Sequence, residues 1–193
     1  MGILQELLKD IPIPKMAKVN VRFNDEQIVD LGSELRAKLR QPHIMEKVKP
    51  GMEIAIAVGS RGLDRIVELT AVTVKALKDA GAKPFIVPSM GSHGGATAEG
   101  QREVLAHLGV TEESAGCEIR SSMEVVQLGA LPNGLPVYLD KYAAAADGIV
   151  VINRIKPHTA FRGPVESGIM KMISIGLGKQ KGAEACHQLG FKY

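Results

Sequence analysis

Two short apolar runs, residues 53–58 (Glu-Ile-Ala-Ile-Ala-Val) and 83–88 (Lys-Pro-Phe-Ile-Val-Pro), flank a long amphipathic segment. This arrangement constrains the fold more than any other feature of the chain. Between the runs, Leu63, Ile66, Val67, Thr70, Val74 and Leu77 recur with the period of one helix face. Gly81 stands where a helix C-terminus calls for a left-handed residue. A strand, a helix and a strand within about thirty-five residues make a βαβ unit, which implies parallel pairing and a right-handed crossover.

The rest of the chain extends this pattern. Residues 3–9 read as a short amphipathic helix, ended by Ile11-Pro12-Ile13-Pro14. Residues 18–23 alternate like a strand, with Val19, Val21 and Phe23 on one face. Asn24-Asp25 offers a helix start, and Ile28, Leu31, Leu35 and Leu39 give a helical stripe that stops before Pro42. Residues 97–108 form another predicted helix, closed by Gly109, and 117–122 and 124–128 read as short strands. Asn133-Gly134 between apolar residues is a strong hairpin signal, with 137–139 as the return strand. A short helix over 142–146 leads to Gly148-Ile149-Val150-Val151-Ile152, a third buried strand. The predicted class is α/β: a mostly parallel sheet with flanking helices in Rossmann-like βαβ units, plus an antiparallel hairpin insertion.

Composition narrows the function. The 193 residues carry a net charge of +3 without a basic run, with four phenylalanines, three tyrosines and no tryptophan. That argues against nucleic-acid stacking or a phosphate track. No apolar run is long enough to span a membrane, and the N-terminus lacks the pattern of a secretory signal. Cys117 and Cys186 have no metal-ligand spacing and read as reduced thiols of a cytoplasmic protein.

Polar groups gather after each predicted strand: Ser60-Arg61 after the first, Ser92-His93 after the second and Lys156-Pro157-His158 after the third. In a parallel sheet such loops leave on the same side, where open α/β sheets bind ligands. Arg61 stands at a helix opening and suits bidentate capture of a carboxylate or phosphate, or is an ordinary exposed arginine. His93, between glycines, and His158, behind a proline, suit proton transfer or metal ligation. Lys171, in Ile169-Met170-Lys171-Met172-Ile173, reads equally as a snorkelling side chain or as an amine made nucleophilic by partial burial. His187 falls in the last predicted helix. His43 reads as a surface residue, and His107, near a helix end, as one that caps that end or meets solvent. Gly176-Leu177-Gly178 lacks the third glycine and the preceding strand of a dinucleotide fingerprint.

These residues together resemble the N-terminal domain of the nickel-pincer-dependent lactate racemase family. The resemblance runs from about residue 53 to 191. It rests on Gly59-Ser60-Arg61, on Met90-Gly91-Ser92-His93-Gly94, and on Pro157-His158 followed by Lys171 and His187. It implies that Lys171 tethers the pincer nucleotide, that His187 ligates nickel, and that His93 and His158 are the paired acid/base residues. It implies a substrate-binding role for Arg61, and one for Arg162 by its place in the altered run that also holds Glu166. The implied reaction is racemisation or epimerisation of a small-molecule 2-hydroxy acid, by reversible proton and hydride transfer. Square-planar nickel agrees with sulfur and imidazole ligation. Val58 and Gly62 stand where the family carries aspartate and proline, which points away from lactate itself. The resemblance further implies that residues 1–193 are an N-terminal domain. It expects a C-terminal domain to complete the site, the cofactor to reside in the full-length enzyme and this chain alone to be inactive. It leaves an oligomer open.

Two other readings carry different expectations. A zinc or iron hydrolase would use His93, His158 and His187 as ligands and leave a position for water. A non-catalytic module would bind a small anion at Arg61 and the glycine loops.

Overall fold

A computed structural model describes residues 2–12, 15–158 and 162–189. In chain order the elements are α1 (Ile3–Leu8), α2 (Leu31–Leu39), α3 (Pro42–Met45), β1 (Glu53–Val58), α4 (Ile66–Asp79) and β2 (Lys83–Pro88). A 3-10 turn (Gly94–Ala96), α5 (Ala98–His107), α6 (Glu112–Ala115), β3 (Val125–Ala130), β4 (Pro136–Asp140), α7 (Lys141–Ala145) and β5 (Gly148–Ile152) follow. Last come α8 (Ile169–Lys171), a π-helical segment (Met172–Gly176) and α9 (Lys179–Leu189).

The three apolar runs are the three strands of one parallel sheet, in the order β2-β1-β5. Ile56 of β1 stands level with Ile86 of β2 and Val150 of β5. The central strand is buried on both faces, as the near-continuous apolar sequence of a covered parallel strand requires. Ile54, Ile56 and Val58 face one core with Ile66, Val74 and Leu77 of α4 and Leu105 of α5. Ala55 and Ala57 face the other with Phe85, Val87, Ala143, Met172 and Leu177. Small alanines on that face let α7 and the π segment come close to the sheet. The α/β class is thus borne out, including the hairpin, which forms a separate antiparallel pair β3-β4 with a register shift between Gln127 and Gly129.

Caps set several of the helix ends. Thr97 Oγ1 accepts from the Gly100 amide at 3.0 Å and starts α5. Gly81 and Gly109 take positive φ, +83° and +81°, just beyond α4 and α5.

Three local expectations are corrected. Residues 18–23 form no strand: Val19, Val21 and Phe23 are exposed and pair with nothing among the described residues. Helix α2 starts at Leu31, not at Asn24-Asp25, because Asp30 Oδ1 accepts from the Ser33 amide at 2.9 Å. Asn24 instead bonds the Glu26 amide in a local turn. Of the strand expected over 117–122, only a single parallel bridge from Ile119 to Ile86 is present. Ile13 and Pro14 of the expected proline break, and residues 190–193, which include the end of the resembling stretch, lie outside the described residues.

Candidate active site

The ends of β1 and β2 and the 169–176 segment meet at one edge of the sheet. A methyl added to Gly59 would touch the Met172 thioether at 3.5 Å, and the Gly91 amide donates to the Gly176 carbonyl at 3.2 Å. Gly176 must be glycine, because a Cβ there would stand 2.8 Å from the Ser89 carbonyl oxygen. A Cβ on Gly178 or Gly182 would likewise collide with the Ser174 carbonyl. The glycines of residues 176–182 therefore serve close packing beneath the site and not a dinucleotide fold.

On this platform the first two loops join. Ser60 Oγ lies 2.6 Å from His93 Nδ1, which leaves Nε2 as the ring nitrogen free to exchange a proton with a ligand. Burial and the charges of Arg61 and Lys171 hold the His93 pKa below its ordinary value, which disfavours the protonated imidazole. Burial, Arg61 and Lys156 in turn lower the pKa of Lys171. The charged groups that act on His93 and Lys171 are thus all cations: Arg61 and Lys156 from two of the loops, and Lys171 at the end of α8. Such a cluster favours an anionic ligand. Lys171 also directly precedes the π segment, a kind of helix distortion that often marks functional sites.

The third loop is built by clips on its main chain. Ser167 Oγ accepts from the Lys156 amide at 3.1 Å and donates to the Lys156 carbonyl. Glu166 accepts from the His158 amide at 2.8 Å and from the Gly163 amide at 3.1 Å, and these bonds hold its pKa down. Arg162 donates to the His158 carbonyl at 2.5 Å and stands 3.6 Å from Glu166. His158, Arg162 and Glu166 are thus bonded to one another. Residues 159–161, within the run between His158 and Lys171, lie outside the described residues.

Of the sequence-derived candidates, Arg61 and Lys171 lie near enough to His93, and Arg61 near enough to Lys171, for charge to lower the pKa of the neighbour. His187 lies on the exposed side of α9. Among the described residues no group of three or more His, Cys, Asp or Glu side chains could hold a metal ion, so His93, His158 and His187 do not assemble a zinc or iron site. Val58, at the position of the family aspartate, is fully buried in the core. Burial raises the thiol pKa of Cys117 to about 11 and moves Cys186 in the same direction, which disfavours the nucleophilic thiolate at both.

Sequence reasoning gave no role to Ser60 or Lys156, and it did not find Gln101, Asp140 or Lys179, which lie fully buried below the loops. Neither Gln101 and Lys179, each behind a glycine, nor Asp140, between Leu139 and Lys141, carries a local sign that it is buried. Only the crossing of the loops above them reveals this.

Among curated proteins, no match to the chain is found. The profile described as lactate racemase N-terminal domain matches residues 8–192. With that span covering nearly the whole chain, and with the sheet-edge loops carrying the residues that first suggested it, the protein belongs to the lactate racemase N-terminal domain family.

Proposed function

We propose that this chain supplies the cofactor-bearing wall of a racemase or epimerase acting on a 2-hydroxy acid. The observation that carries the reading is that His93, bonded to Ser60, has its pKa lowered by burial, Arg61 and Lys171, while burial, Arg61 and Lys156 lower that of Lys171.

The residues fit the nickel-pincer nucleotide implied by the family. An amine whose protonated form is disfavoured by burial and by two neighbouring cations suits covalent attachment at Lys171. The same cations suit the nucleotide phosphate or the substrate carboxylate, and the His187 imidazole is a proper donor for nickel. When bound, the cofactor supplies the acceptor and donor for the hydrogen on C2.

The chain's own residues account for the rest. Arg61 binds and orients the carboxylate through its guanidinium fork, and Arg162, exposed beside His158, is the second guanidinium proposed to meet the substrate. His93 Nε2 takes the hydroxyl proton while Ser60 steadies the ring through Nδ1. His158 performs the same service from the opposite side, so that each enantiomer meets a base. A second wall from a further domain would exclude water from this exposed edge.

The test is to produce the full-length protein together with the enzymes that build the cofactor. Nickel at one per chain, a mass adduct on Lys171 and interconversion of a 2-hydroxy acid are expected. Stoichiometric zinc with an unmodified Lys171 would overturn the reading.

A further inference from the structure

Below the His93 loop lies a buried ionic cluster. The Lys179 ammonium donates to the Pro88 carbonyl and to Gln101 Oε1 at 3.0 Å, and stands 3.3 Å from Asp140 Oδ2. All three side chains have no solvent exposure. Asp140 Oδ1 accepts from the Tyr142 and Ala143 amides at 2.8 and 3.0 Å, so the carboxylate is fixed as the cap of α7. The other end of the Gln101 side chain reaches the loop: Nε2 donates to the Gly91 carbonyl at 2.8 Å and to the His93 carbonyl at 3.3 Å.

A carboxamide has one accepting end and one donating end. An ammonium can only donate, so its place against Oε1 dictates that Nε2 faces the loop. The charge also polarises the amide and strengthens what it donates. As a device for stability alone the arrangement is a poor choice, because buried ion pairs are often no better than apolar residues of the same volume. Burial also works against the Lys179 charge, and Asp140 opposes that effect.

We propose that Lys179 is a positioning residue for His93: through Gln101 it holds the carbonyls of residues 91 and 93, and so sets where the imidazole meets Ser60. The catalytic half of this inference rests on His93 being the proton-transfer group proposed above. The structural half does not.

Gln101→Glu separates the two ends of the amide. It keeps an acceptor for Lys179 and removes both donors to the loop. In the full chain with labelled histidine, the variant is expected to remain folded while the His93 ring signals move toward those of an exposed imidazole. Exchange of the His93 and Ala96 amides, bonded to Met90 and Ser92, should accelerate at least about tenfold as their loop loosens. The ring of His107, bonded to Glu103 on the far end of α5, should not change. Gln101→Met removes both ends without adding charge and carries the same expectation if the glutamate variant does not fold. Unchanged His93 signals and exchange in either folded variant would overturn the proposal. In the loaded full-length enzyme, the expected effect is a fall in kcat with little change in KM. An enzyme whose unaltered form turns over no 2-hydroxy acid would sink the racemase reading and leave the magnetic-resonance result to decide the positioning role.

Discussion

Ser60 and His93 stand 2.6 Å apart, Oγ to Nδ1, although thirty-three positions separate them in the chain. The bond spans two neighbouring parallel strands and joins the loops at their carboxyl ends. It fixes the imidazole ring by one nitrogen and leaves the other for chemistry. Ser60→Ala should therefore change the ring's tautomer balance, seen in its nitrogen shifts. In the full-length enzyme it should reduce kcat about three- to tenfold, the worth of one ordinary hydrogen bond.

The depressed His93 pKa gives a signed pH effect. Its folded value lies below the ordinary 6.5, so the folded chain binds this proton less readily than the unfolded chain. The stability linked to this group is therefore complete above about pH 6.5 and declines as pH falls through that value toward the folded pKa. Arg61→Gln removes the second-largest cause of the shift and leaves burial, the largest. Proton titration of the ring should show a pKa that rises part of the way back to 6.5, with a smaller loss of stability in acid.

Lys171 should behave as a more reactive amine than the other exposed lysines. Its pKa is lowered by burial, Arg61 and Lys156, so a larger share is unprotonated at a given pH. Competitive acylation followed by mass mapping should modify Lys171 ahead of Lys38 or Lys75. Lys156→Gln should reduce that preference and move the reactivity profile to higher pH. Equal labelling of Lys171 and Lys75 at every pH would contradict the cluster.

The approach of the His93 loop to α5 leaves no room for side chains. A Cβ on Gly94 would stand 2.5 Å from the Gly100 carbonyl carbon, and a Cβ on Gly100 would run into the Gly94 carbonyl oxygen. Gly100→Ala should cost about 3 kcal/mol, at the upper end of overpacking effects, because backbone on both sides must shift. Gly62→Ala, with open space around it, should change the melting temperature little. Thermal melts of the two variants make the comparison.

The sheet was legible in the sequence because its strands are short apolar runs, the first stopped by Gly59 and the second by Pro88, and few alternatives fit such runs. Convergence of Arg61 and His93 followed from parallel pairing alone. Residues 18–23 misled because alternation defines a face and does not supply a partner strand. The start of α2 misled because Asn24-Asp25 has the residue types of a cap, whereas the Ser33 amide donates to Asp30 and sets the cap there. Lys179 was out of reach for another reason. Its partners Pro88 and Gln101 are ninety-one and seventy-eight positions away, far beyond any local pattern.

Lys179 also has φ of +55°, at the corner where the chain leaves the π segment and enters α9. A left-handed corner is glycine's usual post, and a lysine there costs about 1 kcal/mol in backbone strain. Replacing it with glycine would relax the bend and delete the ammonium in the same stroke. The corner is thus a place where the most comfortable residue for the main chain is the wrong one for the interior. Any redesign that smooths this turn for stability would disconnect the floor of the site from the strands that support it.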